Sequence, residues 1–177
     1  MSEVLRFTMT FHTPFLTATG AAAEGYDASI DLSRPLAPTA IKGLMRSAAT
    51  DTLCLRTDLV ERVFGSVKLP TAWRWSVEAP VTDVTPVDRH RVEIDDDTRT
   101  AVDNHLQYVR AGYVPSIDFT VERAGQVGRE ERVAVIASGR AIHAIGAQRR
   151  RGLGWVGVTG PELAEDDYAY LVGGMRS

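Results

Sequence analysis

Residues 145–158 read IGAQRRRGLGWVGV, and where the glycines stand in this stretch decides the fold. Gly146, Gly152 and Gly154 punctuate a turn that carries Arg149, Arg150 and Arg151, and the turn runs directly into a β-type segment ending at Val158. A dinucleotide-binding loop has the opposite order, with its glycines following a strand and opening a helix. The stretch therefore argues against a doubly wound sheet and predicts a last strand over 152–158, entered through a Gly/Arg turn.

Outward from there, residues 3–12 set Leu5, Phe7, Met9 and Phe11 against Arg6, Thr8 and Thr10, the period of two of a half-buried strand. His12-Thr13-Pro14 ends it, and the small, Gly-punctuated residues 17–25 read as a loop. Tyr26 to Leu32 alternates again, with Ala28, Ile30 and Leu32 inward and Asp27, Ser29 and Asp31 outward, which predicts a strand showing two carboxylates on one face. Beyond Pro35 and Pro38, Thr39 is the expected N-cap of a helix over about 39–55, whose apolar stripe is Ile41, Leu44, Met45, Ala48 and Leu53. Thr39, Lys42, Arg46 and Thr50 fall on its opposite face. Residues 58–64 read as a short helix closed by Gly65.

Trp73, Trp75, Val77, Ala79 and Val81 alternate as a strand, as do Ile117, Phe119 and Val121, and the tryptophan face reads as core or interface. Between them 84–115 is charged, Pro-bounded and weakly periodic, and reads as an excursion such as a hairpin, outside the core. Residues 131–145 read as a helix, with VAVIA at 133–137 equally compatible with a short strand, and 161–177 form an acidic-to-aromatic tail. The order strand, helix, strand, excursion, strand, helix, strand predicts an α+β, ferredoxin-like (RRM-like) sheet with helices on one face.

At 177 residues the chain fits one domain, and 44% hydrophobic with 24% charged residues is ordinary globular composition. No apolar run approaches the ~20 residues of a membrane span, and MSEVLRFTMT lacks the continuous apolar segment of a signal peptide. With Cys54 as the single cysteine, an internal disulfide and a multi-thiolate zinc site are excluded, and a reducing cytoplasm is the expected location. The net charge of -3 gives no global pull on polyanions. Yet all the cations except Lys42 and Lys68 are arginines, and from Arg140 to Gly160 the chain carries four arginines and no acid. Local charge decides what binds there.

Three arginines in a Gly-rich turn supply phosphate forks and a potential nest of N–H groups, although a solvated turn accounts for the same residues equally well. Lys42 and Arg46 stand one turn apart near a helix N-terminus that favours anions, where the plain alternative is a solvated helix face. Asp27 and Asp31 are the candidate Mg²⁺ or general-base carboxylates, since hard cations bind through one or two carboxylates and phosphate oxygens; on an edge strand such acids more often only discourage pairing. The histidines at 12, 90, 105 and 143 have no metal-site spacing, and no Ser lies in a nucleophile elbow.

Taken in order, PFLTATG, YDASIDLSRPLAPTAIKGLMRSA, ERVFGS, RHRVEIDDDTRTAVDNHLQYVRAGYVPSIDF and IGAQRRRGLGWVGV resemble the RAMP superfamily of CRISPR effector proteins. Within it the chain looks most like the backbone subunit of type III (Csm/Cmr) complexes, which polymerises along guide RNA. The resemblance implies a ferredoxin-like core, a Gly-rich loop over Gly146–Gly154, a guide-contacting helix motif holding Thr39, Lys42 and Arg46, and a thumb at about 84–115. It implies as partners guide and target RNA, further copies of the chain and other effector subunits. It also implies a target-cleaving aspartate working with Mg²⁺ or another divalent cation, best matched by Asp27. The family pattern places Gly-Ser-Ser or similar where this chain has the shorter Thr39-Ala40, and the loop around Asp27 is abbreviated. Two other readings are a precursor-processing endoribonuclease of the same superfamily, using His12 or His143 without metal, and a non-catalytic structural subunit.

Overall fold

The computed structural model describes residues 2–17, 25–78, 81, 83–92, 97–100 and 106–174. Strand β1 (Ser2–Phe11) places Leu5, Phe7, Met9 and Phe11 in the core, as the alternation requires. It pairs antiparallel with β6 (Ser116–Ala124) on one side and β7 (Val156–Thr159) on the other, and β6 pairs in turn with β3 (Trp73–Val77). The sheet order is β3-β6-β1-β7. With α1 (Pro38–Ser47) between β1 and β3, and α3 (Arg129–Arg140) between β6 and β7, this is the ferredoxin-like β-α-β-β-α-β arrangement.

One face of the sheet is apolar throughout. Phe7 faces Phe119 across the ladder with ring centroids 5.0 Å apart, and Met9 lies between Ile117 and Val158. Ile41 and Met45 of α1 and Ala134, Val135 and Ile136 of α3 join this core. Trp73 and Trp75 belong to it too, and the Trp75 indole N–H points at Met45 Sδ, 3.1 Å away. The opposite face carries ion pairs such as Arg6–Glu78 and a Thr8–Asp118 hydrogen bond. Among the described residues of its four strands it carries no exposed aromatic of the kind on which RRM sheets stack bases.

Several boundaries differ from the sequence expectation. Helix α1 starts at Pro38 with Ala37 at the cap position and no side-chain cap, so Thr39 lies inside the first turn. Proline's fixed φ suits the first helical position and moves the start one residue earlier. The expected single helix to about 55 stops at Ser47, continues as a π-turn over Ala48–Thr52, and is followed by the separate α2 (Thr57–Phe64). The 133–137 segment is helical, and it is buried all round because α3 packs against α1, α2 and the C-terminal helix as well as the sheet. The last strand begins at Val156 and not at Gly152, because positive φ at Gly152 and Gly154 keeps 152–154 out of the ladder.

The excursion is a hairpin, β4 (Thr85–Arg91) against β5 (Gln107–Tyr113), but its base is core. Val109, Ala111 and Val114 are buried, and β5 pairs with the two-residue β2 (Ala28–Ser29) to make a second sheet of order β2-β5-β4. The expectation that 84–115 lies outside the core is therefore corrected for 109–114. The strand expected over 26–32 shrinks to β2, because Asp31 turns the chain. The loop at 18–24, Ala79, Asp95, Asp96 and His105 lie outside the described residues. The tail includes helix α4 (Asp167–Gly174), tied to α3 by the Arg129–Asp167 ion pair.

Candidate nucleic-acid interface

The 145–155 turn is folded against the segment that follows β1. Ala147 N–H donates to Leu16 O, Gly154 N–H to Pro14 O, and Ile145 N–H to Gly154 O, at 2.7, 2.8 and 2.7 Å. These three donors are spent within the chain and anchor the turn. Gly146 and Gly154 allow the backbone to approach itself: a Cβ would lie 2.2 Å from Leu16 O at Gly146 and 1.9 Å from Ile145 O at Gly154. Gly152, at φ +78°, faces open space.

The turn offers its side chains. Arg149, Arg150 and Arg151 form a 3₁₀ turn and are all exposed. Among the described residues their guanidinium groups have no hydrogen-bond or ion-pair partner. Arg149 and Arg150 border an open cleft of about 600 Å³ that His12, His143 and Trp155 also line. No acid lines it among the described residues. A smaller hollow beside it shares His143 and Arg149 and extends to Ser47 and Thr52 at the end of α1.

Lys42 and Arg46 are placed differently. The Lys42 ammonium lies 5.4 Å from the Trp75 ring centroid, and Arg46 donates to Gly65 O at 3.2 Å, tying α1 to the end of α2. Both have structural work, and neither lines the arginine cleft.

Asp27 is exposed just before β2. Its Oδ2 accepts from Tyr108 N–H at 2.8 Å, and its own N–H donates to Tyr108 O, so it pins the chain to β5. Asp31 is not on the same strand face: its Oδ1 accepts from Ser33 N–H, Ser33 Oγ–H and Arg34 N–H. These bonds, led by the Ser33 hydroxyl, hold its carboxyl below the usual range and commit it to a turn. Nearby, Asp88 is held low by the Arg110 guanidinium, 2.8 Å away, and Arg110 also meets Tyr26, fastening the hairpin to the β2 segment. The described residues contain no group of three or more metal-ligating side chains. Asp27 is thus one carboxylate with one oxygen engaged, which fits Mg²⁺ only if a bound phosphate supplies further ligands.

The family model of the RAMP superfamily matches residues 8–157. The chain belongs to the RAMP superfamily. No curated protein matches it. Among solved structures, this RAMP chain is similar in fold to a chain of type III-B Cmr-beta bound to cognate target RNA, with TM-score 0.66 and 11% identity over 89% of this chain and 97% of that one. It is likewise similar to a chain of the same complex in its apo state, with TM-score 0.66 and 10% identity over 93% of this chain and 98% of that one. No helix among the described residues of this RAMP protein is long and apolar enough to cross a membrane.

Sequence reasoning singled out the arginines and named His12 and His143 as alternative catalytic histidines, but it missed Trp155 and gave no sign that the two histidines share a cleft with the arginines. The available signal was phase: in 152–158 the buried Val156 and Val158 place Trp155 on the outward face, beside the turn.

Proposed function

We propose that the chain is an RNA-binding subunit of a type III-like CRISPR effector complex that holds guide RNA by its phosphates. The observation carrying this reading is the arginine turn, three exposed and unpartnered guanidiniums on a backbone-anchored loop beside a cleft with no acidic lining. Arg forks bind phosphate bidentately without reading base sequence, as a subunit repeated along any guide requires. The family match and the likeness to Cmr-beta chains support the assignment to an effector complex. The partners are then guide RNA, target RNA, further copies of the chain and other effector subunits.

The hairpin is the element suited to reach a neighbouring copy. Arg91 pairs with Gln107 at the end of its described ladder, so residues 92–106 can be replaced by Asn-Gly, which closes a two-residue hairpin. This variant keeps Val109 and Ala111 in the core and should melt within a few degrees of wild type while failing to assemble into multimers on RNA, read by size-exclusion chromatography with light scattering. Undiminished assembly would remove the hairpin from the interface.

Asp27 is the proposed cleavage residue, with a divalent cation such as Mg²⁺ held jointly by its carboxylate and the target phosphate. Asp27→Ala should retain RNA affinity within about twofold and lose metal-dependent cleavage of target RNA in the assembled complex, measured on end-labelled target. Cleavage surviving in the variant would assign the chemistry elsewhere. One observation favours a second reading: His12 and His143 line the same cleft as Arg149, an arrangement suited to metal-independent endoribonuclease chemistry. Cleavage of RNA in excess chelator, abolished in His12→Ala or His143→Ala, would establish that reading instead.

A further inference from the structure

We propose that the cleft between His12, His143 and Trp155 holds one unstacked nucleobase of the bound strand, stacked on the Trp155 indole, while Arg149 and Arg150 grip the flanking phosphates. This rests on the RNA-binding reading above and adds to it a base-binding subsite.

Tryptophan exposure is the first ground. Trp73 and Trp75 are 3% and 8% exposed within the core, whereas Trp155 is 57% exposed in a chain that buries its other large aromatics in this region. An indole left in water at the edge of a cleft is the largest apolar surface there, and a base is the flat partner that covers it. The second ground is that the ring is held in place. Its Nε1–H donates to Arg149 O at 3.2 Å, the Trp155 N–H donates to Thr13 Oγ1 at 3.0 Å, and Trp155 O accepts from His12 N–H at 2.9 Å. A stacking face fixed before binding loses little entropy on binding.

The remaining grounds are size and chemistry. A cleft of about 600 Å³ falls within the range of sites that take small organic groups, roughly 300–1,000 Å³. Two imidazoles at its wall can each donate or accept at a base edge, so no single base is demanded. The indole bonded to Arg149 O also couples base and phosphate contacts, because the same residue supplies the guanidinium. Elsewhere on the open face of the sheet the described strand residues carry threonines and the Arg6–Glu78 ion pair.

The test uses the full chain and two strands of equal length, an oligouridylate and an abasic ribose-phosphate oligomer, with binding read by competition and by tryptophan emission. The oligouridylate should bind at least about tenfold tighter and quench the emission, with the abasic strand binding through phosphates alone. In Trp155→Leu the preference and the quenching should vanish while abasic-strand affinity is kept; Trp155→Phe should retain most of the preference. Equal affinities for the two strands in the wild type, or binding without quenching, would overturn the base subsite and leave phosphate binding intact. Loss of abasic-strand affinity in Trp155→Leu would also overturn it, reducing Trp155 to a brace for the turn. Failure of either strand to bind the wild type would defeat the RNA-binding reading itself.

Discussion

Replacing Arg149, Arg150 and Arg151 together by alanine should lower RNA affinity by about two orders of magnitude at physiological salt and leave the melting temperature nearly unchanged. The separation follows from the geometry. The turn is held by main-chain bonds from Arg151 N–H to Gln148 O, from Ala147 N–H to Leu16 O and from Gly154 N–H to Pro14 O, all of which survive truncation of the side chains. The guanidiniums themselves engage nothing among the described residues, so their removal costs the fold little. If each neutralises one phosphate, the slope of log K against log salt should flatten by about 2 for a single strand, at roughly 0.7 per phosphate. The loss should be uniform across RNA sequences, because these contacts read no bases. Lysine replacements should restore part of the salt dependence but not the full affinity, since an ammonium cannot form the bidentate fork. Lys42→Ala and Arg46→Ala should behave differently, with some loss of stability, because Lys42 lies over Trp75 and Arg46 holds Gly65 O. Anisotropy titrations at several salt concentrations and thermal melts check each part.

Gly154→Ala should be the most destabilising single substitution in the turn. At φ +71° an L-residue is strained, and here the new Cβ would also sit 1.9 Å from Ile145 O. The carbonyl cannot swing aside cheaply, because the Ile145 and Gly154 main chains are tied to each other and Gly154 N–H is tied to Pro14 O. A loss of more than about 4 kcal/mol is expected, a large fraction of the ~5–15 kcal/mol that stabilises an ordinary domain. Gly152→Ala is the control: φ is similar at +78°, but nothing lies within 4 Å of the new Cβ, so only the backbone strain of about 1–2 kcal/mol applies. Urea unfolding followed by circular dichroism separates the two. Equal, small effects at both positions would mean that Ile145 O does not approach Gly154 as closely as the structure places it.

The main sheet was legible because its strands obey a period of two with one apolar face. Leu5, Phe7, Met9 and Phe11 point inward as the alternation requires, and Trp73 with Trp75 prove to be core. The base of the hairpin was not legible: Val109, Ala111 and Val114 are buried, but their neighbours Arg110 and Gly112 break any apolar run, and part of the pairing there comes from β2 and Phe15, far away in sequence. Asp31 was misplaced for a related reason. Alternation over 26–32 suits a strand, yet Ser33 two residues on offers both an N–H and a hydroxyl to the carboxylate, and the turn wins.

The arginine turn was legible as a cation cluster and illegible as geometry. Its glycines serve contacts to the chain's own backbone at Ile145 and at Leu16, the latter far away in sequence, and only the fold reveals that among the described residues the guanidiniums remain free while the Ala147 and Gly154 N–H groups are engaged. The cleft joins His12 after β1, His143 after α3 and Trp155 before β7, a set with no sequence spacing to signal it.

Native mass spectrometry of the protein purified with its bound nucleic acid tests the central claim most directly. Binding to guide RNA through phosphates and assembly along it predict a ladder of species differing by one protomer on RNA of discrete length, lost in the Arg149/Arg150/Arg151 triple-alanine variant. A wild-type protein that stays an RNA-free monomer when offered guide RNA would contradict the account.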